Sequence, residues 1–219
     1  MMQQRQAFDI ALKELKWKLL RMGGDIQEAI RRAIAALETQ DVAMAQAVVN
    51  GDRNINAQDH EIEDLCIRLI ATQQPVAGDL RRIVAGMRLA MDLERMGDLA
   101  VDIAKSVLRM GIAPSAQAWK DIGAMAKMVD AMIAEALNAY VNSDVEAAKR
   151  LAQMDDEIDH HYRRLVEQLF NRPDGESTTA PQAMATAFCG RYLERIGDHI
   201  TNIGESVIYI ISGERSDLN

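Results

Sequence analysis

Glu94, Asp98 and Asp102 recur every fourth residue in a stretch free of proline. On a helix, at about 100° per residue, three such side chains fall within about 80° of one another. A second series, Glu194, Asp198 and Asn202, follows 100 residues later, with Glu205 nearby. Like charges at this spacing destabilise a helix by about 0.2–0.5 kcal/mol per pair. A solvated face normally interleaves lysine four residues after glutamate, and neither series does so between its first two members. Asp155 and Asp159 make a further pair four residues apart, flanking an apolar stripe of Ile158, Tyr162, Leu165 and Leu169. Their counterparts 103 residues earlier are Asp52 and Asn56, with Asp59 and Glu63 one and two turns on. Carboxylates that converge without basic partners need a cation or protons. Ligand sets made only of oxygen suit hard ions such as magnesium, manganese, calcium or oxidised iron.

An ordinary solvated face is the competing reading. The last helical segment carries its own apolar stripe, Leu193, Ile196, Ile200, Ile203 and Val207, and the acids point away from it. Three observations favour cation binding. The acidic series occurs twice in the same six-residue context. Gly97 and Gly197 sit inside these segments, where glycine costs about 0.8–1 kcal/mol relative to alanine. Partner acids stand on the preceding segments. Other chemistry is poorly represented. Glu157 and His160 form one Glu-x-x-His pair, whereas a di-iron carboxylate bundle needs two such pairs and two further glutamates. His199 beside Asp198 could join a site. There is no glycine-rich phosphate loop, Cys-x-x-Cys pair or nucleophile elbow, so the chain is expected not to be an enzyme. The pairs Arg31-Arg32, Arg81-Arg82 and Arg163-Arg164 read as solvated helix positions, one of which could contact an acidic partner.

Long helices must position these residues. Pro75, Pro114, Pro173 and Pro181 lie between helical stretches and interrupt none of them. Reading between them predicts six helices: Arg5 to Leu37, Asp41 to Ala71 with a possible break at Gly51, Pro75 to Arg109, Ser115 to Asn142, Val145 to Phe170, and Pro181 to Ser212. Helices of this length joined by short loops make up-and-down bundles. Leu93-Glu94-Arg95-Met96-Gly97-Asp98 recurs as Leu193-Glu194-Arg195-Ile196-Gly197-Asp198, a shift of 100. Gln40-Asp41-Val42 resembles Ser143-Asp144-Val145 at a shift of 103, which also aligns Asp52 and Ile55 with Asp155 and Ile158. The offset changes at the hairpin from Asn171 to Thr179. The expected fold is therefore all-α: two repeated three-helix units, 1–112 and 113–219, joined near Gly111 to Pro114.

The chain has 219 residues, with 25 Lys plus Arg against 33 Asp plus Glu, a formal net charge of −8. Such an acidic balance argues against a general nucleic-acid binder. Aromatics are 4% of residues against 48% hydrophobics overall, which disfavours a β-sandwich or barrel. Cys66 and Cys189 read as buried free thiols in a reducing compartment. No apolar run approaches the roughly 18 residues of a membrane span, and the first sixteen residues hold no signal-peptide core. A cytoplasmic protein without direct membrane insertion is expected. Exposed apolar residues on long helices suggest a homodimer.

Six helices in two halves, each with Leu-Glu-Arg-x-Gly-Asp, resemble the PhoU family. Arg21-Met22-Gly23-Gly24, the Gln74-Pro75 opening followed by Asp79-Leu80-Arg81, and Phe188-Cys189 ahead of the second motif are similar to the family as well. The resemblance covers nearly the whole chain. It implies a six-helix elongated body with a multinuclear metal cluster on each repeat, built from divalent or trivalent ions: iron, manganese, zinc or magnesium. Carried over, it assigns the second cluster to Asp155, Asp159, Glu194 and Asp198. It assigns the first to Asp52, Glu94 and Asp98, with Asp102 nearby. Asn56 stands where the second half has Asp159, and Asn202 where the first has Asp102, so the two sites should differ.

The resemblance also implies a role. Family members repress the phosphate-starvation response and modulate phosphate uptake, linking the phosphate ABC transporter to its sensor histidine kinase. The implied partners are the transporter's ATPase subunit and that kinase. Two other readings are a di-iron helical-bundle oxidoreductase and a structural adaptor whose acids are merely solvated.

Overall fold

A computed structural model describes residues 2–110, 114–171 and 179–218. The chain turns its corners the same way in both halves. Asp41 caps one helix, its carboxylate accepting from the Met44 N–H at 2.9 Å, and Asp144 caps another through the Ala147 N–H at 3.0 Å. An N-cap acceptor of this kind satisfies a backbone donor that the helix leaves open. The residue before each cap, Gln40 or Ser143, has φ of 54°. At each corner the Asp N–H closes the preceding helix on a carbonyl, Ala36 O at 3.1 Å or Ala139 O at 2.9 Å. The repeat is thus a repeat of backbone conformation as well as of sequence.

The helices are α1 (Met2–Thr39), α2 (Val42–Gln73), α3 (Ala77–Met110), α4 (Ala116–Asn142), α5 (Val145–Phe170) and α6 (Ala180–Ser212). No strand occurs among the described residues. The expected bounds hold to within a few residues, and two differences have physical causes. Helix α3 begins at Ala77, not Pro75, because Gln74 and Ala77 both adopt positive φ, at 46° each. Gln74 ends α2 in the left-handed region, its N–H on Ile70 O, and a residue before proline is barred from the right-handed helical region in any case. Helix α2 runs unbroken through Gly51, where no atom lies within 4 Å of a built Cβ. Pro181 stands at the start of α6, where Thr179 and Gln182 exchange a capping box. The expected junction at Gly111 to Pro114 falls largely outside the described residues, as does most of the Asn171 to Thr179 hairpin.

Helices α1, α2 and α3 pack on one another, and so do α4, α5 and α6. The two trios join through α3 against α6 and α1 against α4, while α2 and α5 touch only their own trio. The α3–α6 contact is antiparallel: Arg88 lies over the Tyr209 ring at 5.7 Å, and Asp92 meets His199 and Asn202. At the α1–α4 crossing, Gln27 and Arg31 both donate to Asp130, and Lys16 donates to Val141 O. One apolar core runs through both halves, from Leu19, Met22 and Ile26 through Leu93 and Met96 to Leu193, Ile196 and Ile200. Each such side chain contributes roughly 1.5–3 kcal/mol on burial. The result is a single all-α body in which α2–α3 and α5–α6 present their acids on the outside of the core.

Candidate metal centre

Helix α5 places Asp155 and Asp159 one turn apart, and α6 does the same for Glu194 and Asp198. The adjacent positions Ile158, Leu193, Ile196 and Ile200 anchor both helices in the core. The acids are less solvated than the sequence pattern implies. Asp155 is 7% exposed and Glu194 9%. Asp155 Oδ1, Asp159 Oδ1 and Glu194 Oε2 are buried without a hydrogen-bond partner. A buried oxygen left in this state costs roughly 1–3 kcal/mol, more when charged. Gly197 makes the arrangement possible, because a Cβ there would collide with Asp155 Oδ1.

The electrostatics follow from that burial. Burial pushes the Asp155 carboxyl up to about 7, with Asp198, Asp159 and Glu194 adding repulsion. Burial, then Asp198, raises Glu194 to about 7 as well, against the pull of Arg191. Asp198 is raised by burial and opposed by Arg191. Groups so placed hold protons near neutrality unless a cation replaces them.

The first half builds a related but unequal station. Asp52 is raised by burial and then by Asp98, while hydrogen bonding from Asn56 and the charge of Lys105 oppose the shift. Asn56 donates from Nδ2 to Asp52 Oδ2 at 3.1 Å, leaving Asp52 Oδ1 and Asn56 Oδ1 buried without partners. Glu94 is raised by burial and by Asp98, with Asp59 and Asp52 contributing further. Asp59, outside the assigned set, is itself raised by burial. It lies one turn beyond Asn56, and its place on the periodic stripe was the available signal. A Cβ on Gly97 would meet Ile55 at 3.2 Å rather than a carboxylate, so the two motif glycines play different parts.

Basic compensation exists after all, three residues away rather than four, and from arginine rather than lysine. Arg95 contacts Asp98 at 2.9 Å and Glu94 at 3.5 Å, and Arg191 donates to Glu194 Oε1. The third members of the two stripes turn elsewhere. Asp102 pairs with Lys105 at 3.7 Å and adds to the upward shift of Tyr192 on α6. Asn202 donates to Asp92 at 3.1 Å, where His199 Nδ1 also lies at 3.1 Å. Asp92 is 8% exposed. No periodic signal singles it out, because its partners come from the other half. Glu205 accepts from the Leu218 N–H.

Among the described residues no three His, Cys, Asp or Glu side chains close into a finished cage. The station oxygens that have a partner take it from arginine or, for Asp52, from Asn56, and several have none. The donor set nevertheless fits a hard cation by its chemistry: every available atom is oxygen, and several are buried and without a partner. The Glu-x-x-His pair has no such setting. Glu157 and His160 are both exposed, and neighbouring His161 lies 3.3 Å from Asp121, which Arg164 also binds.

The PhoU domain family matches residues 19–107 and 122–207. The phosphate-specific transport system accessory protein PhoU homolog of Clostridium acetobutylicum is 41% identical over 98% of this chain and 99% of its own. The accessory protein PhoU of Escherichia coli is 30% identical over 94% of this chain and 86% of its own. The crystal structure of PhoU from Pseudomonas aeruginosa superposes with a TM-score of 0.89 at 32% identity, over 94% of this chain and all of that one. The phosphate transport system regulatory protein PhoU from Streptococcus pneumoniae gives 0.87 at 32% identity, over 96% and 99%. In sequence, repeat and fold, the chain belongs to the PhoU family.

Proposed function

We propose that this protein is an accessory and regulatory protein of phosphate-specific transport that binds cations at two unequal carboxylate stations. The stations are Asp155, Asp159, Glu194 and Asp198 on α5–α6, and Asp52, Glu94 and Asp98 on α2–α3, with Asp102 at the margin. The observation that carries the cation reading is the set of buried, partnerless oxygens on Asp155, Asp159 and Glu194. A bound iron, manganese, zinc or magnesium ion, alone or in a cluster, would supply positive charge where these acids repel one another. The residues face one another across α5–α6 and across α2–α3, and neutralising their repulsion would draw each outer pair of helices together.

The regulatory part of the reading rests on the family. The protein represses the phosphate-starvation response by linking the ATPase subunit of the phosphate ABC transporter to the sensor histidine kinase, favouring the kinase's phosphatase-competent state. Among the described residues no helix is long and apolar enough to cross a membrane, and both cysteines are free and buried, in keeping with cytoplasmic work. Exposed Ile10, Trp17, Phe170 and Phe188 offer apolar surface for a homodimer.

Two experiments test this reading. Metal content measured by plasma mass spectrometry should fall in the Asp98→Asn, Asp198→Asn double variant, and unchanged content removes these ligands. A pull-down of the tagged protein from phosphate-replete cells, with and without chelator, should recover the transporter ATPase or the kinase. Recovery of neither refutes the coupling role. The di-iron alternative would require oxygen-dependent turnover, and the exposed Glu157 and His160 give it no site.

A further inference from the structure

The four carboxylates of the α5–α6 station have one basic side chain within ion-pair reach among the described residues, Arg191. It lies one turn ahead of Glu194 on the same helix and donates from Nη1 to Glu194 Oε1. The other Glu194 oxygen, Asp155 Oδ1 and Asp159 Oδ1 are buried with no partner. The burial is unequal across the pair: the Arg191 side chain is 46% exposed, against 12% for that of Glu194. The guanidinium can therefore swing into water at little loss, whereas the carboxylate cannot leave.

We propose that Arg191 is a built-in counter-ion for the α5–α6 station, occupying the Glu194 oxygen that an incoming cation needs and departing when the cation binds. This inference rests on the cation reading above. An arginine is suited to the task because it stays charged at every working pH and its planar fork matches a carboxylate. With the guanidinium in place, Glu194 presents one oxygen to the other acids. With it gone, both face the cluster.

The device is specific to one station. The residue corresponding to Arg191 in the first half, at the shift of 100, is Met91. There Arg95 spans Glu94 and Asp98 instead. Its own counterpart, Arg195, makes no ion pair with Glu194 or Asp198 among the described residues. The two stations are thus restrained from opposite sides of their motifs, and removing Arg191 should act on the second station alone. Arg195, similarly charged and one residue past Glu194, serves as the control for a general field effect.

The test is calorimetric titration of the metal-free full-length protein with Mn2+, comparing wild type, Arg191→Gln and Arg195→Gln. Arg191→Gln should tighten one class of site about tenfold, which is about 1.4 kcal/mol, and leave the other class unchanged. Arg195→Gln should stay within about twofold of wild type, as expected for an exposed charge screened by solvent. The metal-free Arg191→Gln protein should also melt lower than wild type, having lost its neutralising partner. Equal affinities in wild type and Arg191→Gln, weaker binding in Arg191→Gln, or equal tightening in both variants overturns the counter-ion role while leaving the cation sites standing. Failure of all three proteins to bind Mn2+ overturns the cation reading itself.

Discussion

Substituting Gly197 with alanine separates the two demands on that position, helix stability and room for a ligand. A Cβ built there would lie under 3.0 Å from Asp155 Oδ1, against 3.4–4 Å for ordinary contact. The oxygen must therefore retreat by more than 0.4 Å, the difference between 3.4 and 3.0 Å. Metal–ligand distances tolerate about 0.2 Å, and a Cβ in this space removes room that Asp155 needs to bring an oxygen to a shared cation. The backbone meanwhile gains up to about 1 kcal/mol from replacing a mid-helix glycine. The metal-free Gly197→Ala protein should melt within a few degrees of wild type, and its second-station affinity for Mn2+ should fall at least tenfold. Gly51→Ala supplies the control, because nothing lies within 4 Å of its Cβ. It should raise the melting temperature by about 2–4 °C, the shift expected for about 1 kcal/mol in a protein of this size, without changing the second station. Thermal melts with chelator and calorimetric titration with Mn2+ read both quantities. Unchanged Mn2+ affinity in Gly197→Ala would refute the argument that the glycine exists to seat Asp155.

Asp155 and Glu194 hold protons more tightly folded than unfolded, rising from ordinary values of 3.8 and 4.5 to about 7. Stability from this pair is present in full below about pH 4 and is lost as pH rises to about 7. Metal-free protein should melt progressively lower from pH 5 to pH 8, and the Asp155→Asn, Glu194→Gln double variant should show a shallower fall. Parallel curves for the two proteins would remove these carboxyls from the explanation. Asp92→Ala strands the Asn202 amide and His199 at the α3–α6 crossing. Lost acceptors cost about 1–3 kcal/mol, so chemical denaturation should show a destabilisation of that order, and a change below about 0.5 kcal/mol would mean that water replaces Asp92. Asn56→Asp exchanges the 3.1 Å hydrogen bond to Asp52 for repulsion. The metal-free protein should melt lower and the first station should bind Mn2+ more tightly, both read from the same melts and titrations, while a stabilised metal-free protein would show that these two side chains do not face each other.

Periodicity fixes the face of a helix on which a residue lies, and it carries no information about the helix that will cover that face. This distinction accounts for what was legible. The corners at Asp41 and Asp144 and the run of α5 are local, decided by backbone donors within four residues, and their places read directly from sequence. Helix α3 starts two residues past its proline because two positive-φ residues, which no composition rule predicts, override a favourable proline start. The pairing of Asp155 with Glu194 was legible through the repeat and the hairpin order of α5 and α6. The burial of Glu194 was not, since on a helical wheel it points away from the apolar stripe, and α5 decides whether that second face is wet or dry. The same limit explains the third residues of the stripes. Asp102 and Asn202 continue the spacing faultlessly, yet the antiparallel crossing of α3 and α6 turns them toward Tyr192 and Asp92. A crossing between the two halves joins residues about a hundred positions apart, and a one-helix pattern cannot contain it. The acidic stripe therefore splits where the partner helix changes: its first two members face the acids of the hairpin neighbour, and its third turns toward the seam that makes two repeats one body.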